Sequence, residues 1–283
     1  MKITHEIVVE TVKQLVMDAA CNLDPDMVRF LQLAKQKETA PLAKTILDEI
    51  LQNQEIARTE RIPMCQDTGV SVFFVELGSQ VRLDFDLYNA IQDGTRQGYK
   101  EGLLRKSIVK HPIDRVNTKD NTPAIIHLTL ANHNQLKIQF APKGAGSENL
   151  SRMKMMTPAE TTDDVVAFVK ETIAIAGGKA CPPLIIGVGI GGNFETAPLL
   201  AKKAIFRHLD DEAEHPTDRE LERRILQEVN QMSIGPMGLG GVTTALAVKV
   251  NSYPCHIASF PIAVNLQCHA ARHKEAVLEG DVE

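Results

Sequence analysis

Apolar positions in the first sixty residues fall at helical spacing. Ile7, Val8, Val12, Leu15, Val16 and Ala19 recur at intervals of three and four, which places them on one stripe of a helix. Asp24-Pro25 reads as an N-cap with proline at the first helical position, and a third helix is expected from Leu42 to about Thr59. After the turn-like Arg61-Ile62-Pro63, the β-rich run Val70 to Leu77 predicts a buried strand, and Phe85 to Arg105 returns to helical composition. Ala124 to Leu130 and Leu136 to Ala141 are expected to form a hairpin across Asn132-His133-Asn134.

Beyond that point the pattern becomes strand, glycine loop, helix. Thr157-Pro158-Ala159-Glu160 has the form of a capping box opening a helix to about Ala176, and Thr217 has the same form before Leu221, Ile225 and Val229. Leu184 to Val188 reads as a strand, Glu195 to Phe206 as a helix, and Thr243 to Val250 and Ile257 to Gln267 as strands. The fold class is therefore α+β or mixed α/β: a helical segment over about 1–60, then mixed sheets with glycine-rich loops over about 61–283. No repeat or low-complexity linker divides the chain, so a single domain spanning 1–283 is expected. The charge-dense stretch Arg207 to Arg224 is read as a solvated loop and helix face.

Composition narrows the function classes. The 31 basic and 36 acidic side chains leave a net charge of −5, which gives no general attraction to nucleic acid or anionic membranes. The acidic, helically spaced start is unlike a signal peptide, and no apolar run reaches the roughly 18 residues of a membrane span. Five scattered cysteines do not make a disulfide framework, so a reducing, cytoplasmic location is expected and attention turns to metal or catalytic use.

Three glycine-rich stretches can bring backbone N–H groups close to an anion: Lys143 to Asn149, Gly187 to Asn193, and Gly235 to Gly241. The second fits the dinucleotide pattern through Gly187, Gly189 and Gly192, with Asp210 or Asp211 at ribose-contact spacing, but the strand that should end in that acid is missing. Cys65, Cys181 and Cys268 each adjoin a turn, proline or polar cluster, whereas Cys21 and Cys255 read as packing residues. Spacing alone does not separate a structural zinc-binding subunit from an iron–sulfur protein, since no C-x-x-C pair occurs.

Taken in series, Met64-Cys65-Gln66-Asp67-Thr68-Gly69, Lys143-Gly144-Ala145-Gly146-Ser147-Glu148-Asn149, Ala180-Cys181-Pro182-Pro183 with Gly187 to Gly192, and Gly235-Pro236-Met237-Gly238-Leu239-Gly240-Gly241 resemble the class I, iron–sulfur-dependent fumarate hydratases. The similarity covers nearly the whole chain and is to the α subunit of the two-subunit form, with L(+)-tartrate dehydratase α subunits as relatives. It implies a hydro-lyase of the tricarboxylic acid cycle that hydrates fumarate to L-malate. The resemblance also implies a [4Fe–4S] cluster on Cys65, Cys181 and Cys268, with one iron left open as a Lewis acid. Gln66, Asp67, Arg105 and Gly146 fall at substrate-binding positions, and Asp67 and His256 at those of a catalytic hydrogen-bond network. His269 and His273 read as supporting or surface residues.

The sequence ends at Glu283 without the family's second portion, which supplies the catalytic base. The resemblance thus implies a separately encoded β subunit and a heteromer such as α2β2. Fumarate and malate are dicarboxylates, which suit cationic and N–H donors. Tartrate dehydration by the same device is the alternative. The Lys143 to Asn149 loop and Gly189 to Asn193 look more like the fumarase forms.

Overall fold

Residues 2–280 are described by a computed structural model of the chain. Eight strands form two four-stranded sheets among these residues, and the chain divides into two compact units. Of the described residues, the first unit takes those up to Asp24, then Gln54–Ala145, then those from Arg272; the second takes Pro25–Asn53 and Gly146–Ala271. No helix among the described residues is long and apolar enough to cross a membrane.

The first unit sets helices α1 (His5–Cys21) and α4 (Leu87–Glu101) against a sheet of order β2-β1-β3-β8. Its strands are β1 (Val70–Gly78), β2 (Ile125–Ala131), β3 (Gln135–Lys143) and β8 (Lys274–Glu279). Alternate residues Phe73 and Val75 on β1, and Leu136, Ile138 and Phe140 on β3, enter the core with the α1 stripe of Val8, Val12, Val16 and Ala19. Phe73 and Phe140 are register partners with ring centroids 4.9 Å apart, a cross-strand aromatic pair. Glycines let the two helices approach: a Cβ on Gly94 would stand 2.6 Å from Val12 Cβ, and one on Gly98 2.8 Å from Val16 Cβ.

The expected β2–β3 hairpin does not form. β2 runs parallel to β1 after a crossover through α4, and β3 pairs antiparallel along the opposite edge of β1. β1 is the most continuously apolar strand of the sheet, so it takes the centre and is bordered on both sides. The Asn132–Asn134 turn passes over its end, where Gln80 N–H donates to His133 O at 3.2 Å and His133 Nε2 meets Glu76 Oε1 at 2.8 Å.

The second unit carries α2 (Pro25–Lys37), the first part of α3 (Pro41–Glu60), the short α5 (Ala145–Glu148) from Gly146, α6 (Thr162–Ala176), α7 (Thr196–Ala204) and α8 (Pro216–Asn230). Its sheet has the order β4-β7-β5-β6, from β4 (Arg152–Met156), β5 (Leu184–Gly191), β6 (Ala245–Tyr253) and β7 (Phe260–Gln267). β5 and β6 are parallel, while β7 is antiparallel to β4 and β5. One face packs Val165, Val169 and Ile173 of α6 and Ile225 and Val229 of α8 against Ile186, Val188, Val250 and Leu266. The cap of α6 is Thr161 with Asp164, not the Thr157 to Glu160 turn, and α8 is capped by His215 with Pro216 leading it. In both cases the sequence pattern marks the right neighbourhood but the wrong residue: before α6 a Thr157–Glu160 turn closes with its own side-chain bond, whereas α8 starts at Pro216, so that Thr217 already lies inside it.

The stretch Gly187–Gly191 is strand rather than loop. A Cβ on Gly187 would lie 2.2 Å from Ala201 O, and one on Gly189 2.0 Å from Ala197 O, so glycine is required by the close passage of α7 over β5. This accounts for the dinucleotide-like spacing without a nucleotide. Gly189→Ala should destabilise the protein by about 1–3 kcal/mol or more, since backbone must yield, and chemical denaturation measures it; a loss below about 0.5 kcal/mol would contradict this packing.

The Arg207–Arg224 stretch is not simply solvated. Glu222, 7% exposed, accepts from Arg207 Nη1 at 2.8 Å and from Val250 N–H at 2.8 Å, and Lys249 donates to Asp211 Oδ1 at 2.8 Å. These paired charges tie the 207–213 loop and α8 to β6.

Candidate functional site

Cys65, Gln66, Asp67 and Arg105 lie in the first unit, on the irregular segments before β1 and after α4. Met64 N–H donates to Ala20 O at 3.0 Å, fixing the loop's start to the end of α1. Gly69 closes it with φ +74; a Cβ there would meet Lys143 N and Pro142 C at 2.7 Å, so the loop lies directly on β3. Cys65 is half-buried, and its Sγ accepts the Asp67 N–H at 3.4 Å. Gln66 is exposed beside it.

Asp67 is the most connected of the expected residues. Its carboxylate accepts Gly69 N–H at 3.0 Å, Ala145 N–H at 2.8 Å and Arg105 Nη2 at 3.3 Å. Arg105 stands beyond the end of α4 rather than on it, with its side chain 54% exposed and Nε donating to Ser107 Oγ at 3.3 Å. Asp67 thus orients the guanidinium while most of the fork stays open to solvent.

A set of buried polar groups that the sequence does not signal holds this loop. The Tyr99 hydroxyl donates to Thr68 O at 2.5 Å and Gly69 O at 3.2 Å, and burial pushes its pKa up to about 12. Thr68 Oγ1 donates to Arg105 O at 2.5 Å. Asn121 Nδ2 donates to Gly69 O at 3.1 Å while its Oδ1 accepts Ser107 N–H at 2.6 Å. These partners are 14 to 52 residues apart in sequence, beyond the reach of local pattern.

Gly146, Cys181, His256 and Cys268 lie in the second unit. Cys181 is half-buried at φ +54, and its carbonyl accepts both the backbone N–H of His269 at 3.2 Å and its Nδ1 at 3.0 Å. Those bonds bring the Cys181 turn and the Cys268 segment together and assign the proton on His269 to Nδ1. The third glycine stretch supports the same turn: Met237 N–H donates to Pro182 O at 2.8 Å, and a Cβ on Gly238 would lie 2.4 Å from Gly178 Cα.

Gly146 is exposed on α5, where an added Cβ would meet only Lys179 O at 3.6 Å. Its loop is stitched to β7, since Asn265 Nδ2 donates to Glu148 Oε2 and to Ser151 Oγ, both at 2.9 Å, and Glu148 pairs with Lys202. Burial pulls the Lys202 pKa down against the pull of Glu148. His256 is exposed in the loop between β6 and β7; its Nδ1 accepts Ala258 N–H at 3.1 Å, which leaves Nε2 to carry the proton of the neutral ring. Cys255 is exposed on that loop, which corrects its reading as a packing residue, while Cys21 is buried in α1 and burial pushes its thiol pKa up.

The chemistry of the three half-buried thiols fits a thiolate-held group. Each lies on irregular backbone, and Cys65 already accepts the kind of N–H···S bond that stabilises a thiolate. Among the described residues, no group of three His, Cys, Asp or Glu side chains forms a ready metal site.

The family model described as fumarate hydratase (Fumerase) matches residues 9–277. A protein of Methanocaldococcus jannaschii named putative L(+)-tartrate dehydratase subunit alpha is 38% identical over 270 residues, covering 93% of this chain and 94% of its own length. The Escherichia coli K12 protein named L(+)-tartrate dehydratase subunit alpha is 32% identical over 261 residues, covering 91% of this chain and 86% of its own.

Proposed function

The chain belongs to the fumarate hydratase (Fumerase) family, and from that premise we propose that it is the α subunit of an iron–sulfur hydro-lyase acting on fumarate and L-malate. The observation that carries this reading is the family match over residues 9–277, within which the four motif stretches stand in order. The subunit names of the relatives support a separate β chain as partner.

In this reading Cys65, Cys181 and Cys268 hold a [4Fe–4S] cluster, which when bound supplies a Lewis acid for the substrate's hydroxyl and carboxylate oxygens. Arg105 offers its open fork to a substrate carboxylate, and Asp67 keeps that fork aimed. Gln66, exposed next to Cys65, and the Gly146 backbone add neutral donors. Asp67 and His256 are assigned to the proton-handling network, with the Nε2–H of His256 as the group it presents. The base that takes the proton from carbon is assigned to the β subunit.

Co-expression with the β chain and anaerobic assay of fumarate, mesaconate and tartrate side by side tests the substrate. A kcat/KM for fumarate at least about tenfold above that for tartrate, or 1.4 kcal/mol of discrimination, is expected. The reverse ratio transfers the reading to tartrate, and turnover by this chain alone would refute the assignment of the base.

A further inference from the structure

Arg272 is the largest of the fully buried side chains, at 2% exposure, and follows Cys268 by four residues in the sequence. Its Nη2 donates to the main-chain oxygen of Asp67 at 2.9 Å, while the buried Nε and Nη1 have no hydrogen-bond partner among the described residues. A carbonyl oxygen carries no net charge, so that bond does not neutralise the guanidinium. Taking a cation out of water is costly unless an anion offsets it, and an arginine cannot escape by losing its proton.

The residue it grips points to the anion. Asp67 presents its carbonyl to Arg272 and its N–H to Cys65 Sγ at 3.4 Å. Tyr99 holds the next two carbonyls of the same loop, at Thr68 and Gly69. A buried cation thus braces the segment that delivers a cysteine, and in a low-dielectric interior its charge acts well beyond hydrogen-bond length. Thiolate-bound clusters respond to such charge, because their potentials are set by local charge, hydrogen bonding and burial.

We propose that Arg272 is a positioning residue for the iron–sulfur cluster, its fork fixing the Cys65–Asp67 loop and its buried charge offsetting the negative charge of the thiolate-held group. This rests on the cluster assignment above. Two properties follow: the fork governs how firmly the cluster is retained, and the charge raises its reduction potential.

The test uses the full chain reconstituted anaerobically with iron and sulfide, comparing wild type, Arg272→Gln and Arg272→Lys. Iron and sulfide content and an EPR-monitored redox titration are read, with KM measured in the complex with the β chain. Arg272→Gln should lose iron faster and shift the reduced-to-oxidised ratio at least tenfold toward oxidised, about 59 mV for one electron. Arg272→Lys keeps the charge, so its potential should stay near wild type while retention falls.

A wild-type potential and iron content in Arg272→Gln would overturn the proposal, and a raised KM with unchanged potential would assign the charge to the substrate carboxylate instead. Should Arg272→Gln fail to fold, Arg272→Lys decides: reduced retention at wild-type potential upholds the proposal, and wild-type retention overturns it. A wild-type chain that takes up no cluster overturns the cluster assignment and this proposal together; a cluster-bearing wild type with an unaltered Arg272→Gln overturns the proposal alone.

Discussion

Cys181→Ser is expected to yield a protein that folds yet emerges from anaerobic reconstitution colourless, with activity in the two-subunit complex lower by at least about 1000-fold. Serine keeps the small polar side chain, and the Cys181 carbonyl can still accept from His269, so the turn has no reason to collapse. What is lost is a soft thiolate, for which a hydroxyl is no substitute at an iron–sulfur centre. Lewis-acid stabilisation of several kcal/mol converts to that loss at about 1.4 kcal/mol per tenfold. Cys255→Ser is the matched control: its thiol is exposed and donates to Ser259 O at 3.3 Å, so iron content should be unchanged. Retention of about four iron per chain by Cys181→Ser would remove this residue from the ligand set, and tightly held zinc in a colourless wild type would replace the cluster altogether.

Asp67→Asn should lower kcat by about 10²–10⁴-fold, the range for losing a positioned proton-handling group. The carboxylate accepts from Gly69 N–H, Ala145 N–H and Arg105 together. An amide offers one acceptor oxygen where two are used, so its NH2 must face a donor, and the loop or Arg105 has to give way. KM should rise as well, because the fork of Arg105 is no longer aimed. Cluster content must be measured alongside: unchanged iron with a collapsed kcat supports the role given to Asp67, while a kcat within about threefold of wild type rules it out.

The sequence makes some of this architecture plain and hides the rest for physical reasons. Helices α1 and α2 and strand β1 are legible because a single stripe or run of apolar residues is bounded by a cap, a proline or a turn. β4, Arg152–Met156, escapes notice because an edge strand reading Arg-Met-Lys-Met-Met is short, has no β-branched residue, and does not turn its brief charged–apolar alternation into an alternation of burial. β8, Lys274–Glu279, alternates correctly but carries charge at half its positions. The pairing of β2 with β1 depends on which strand takes the centre of the sheet, a tertiary outcome. Of the expected site residues, Cys65, Gln66, Asp67, Gly146 and Cys181 come from the four motif stretches read in order, and Arg105, His256 and Cys268 from the wider resemblance, none from spacing; Tyr99, Asn121 and Arg272 give no local signal because their partners lie far along the chain. Arg272 stands in a motif already conspicuous for Cys268, yet only its burial sets it apart from an ordinary charged residue.

The first unit is assembled from three separated lengths of chain, and its sheet takes its fourth strand from residues 274–279. Lys274 donates to Asp24 across 250 residues of sequence. At a synthesis rate of about 5–20 residues per second, α1 therefore leaves the ribosome roughly 13–50 s before β8 exists to close its sheet. Throughout that interval the Cys65 loop sits in an unfinished unit, without the bond from Arg272 to the Asp67 carbonyl. The brace on the Asp67 carbonyl therefore comes into being only once residues 272–279 have been made, at the far end of the chain from the helix they complete.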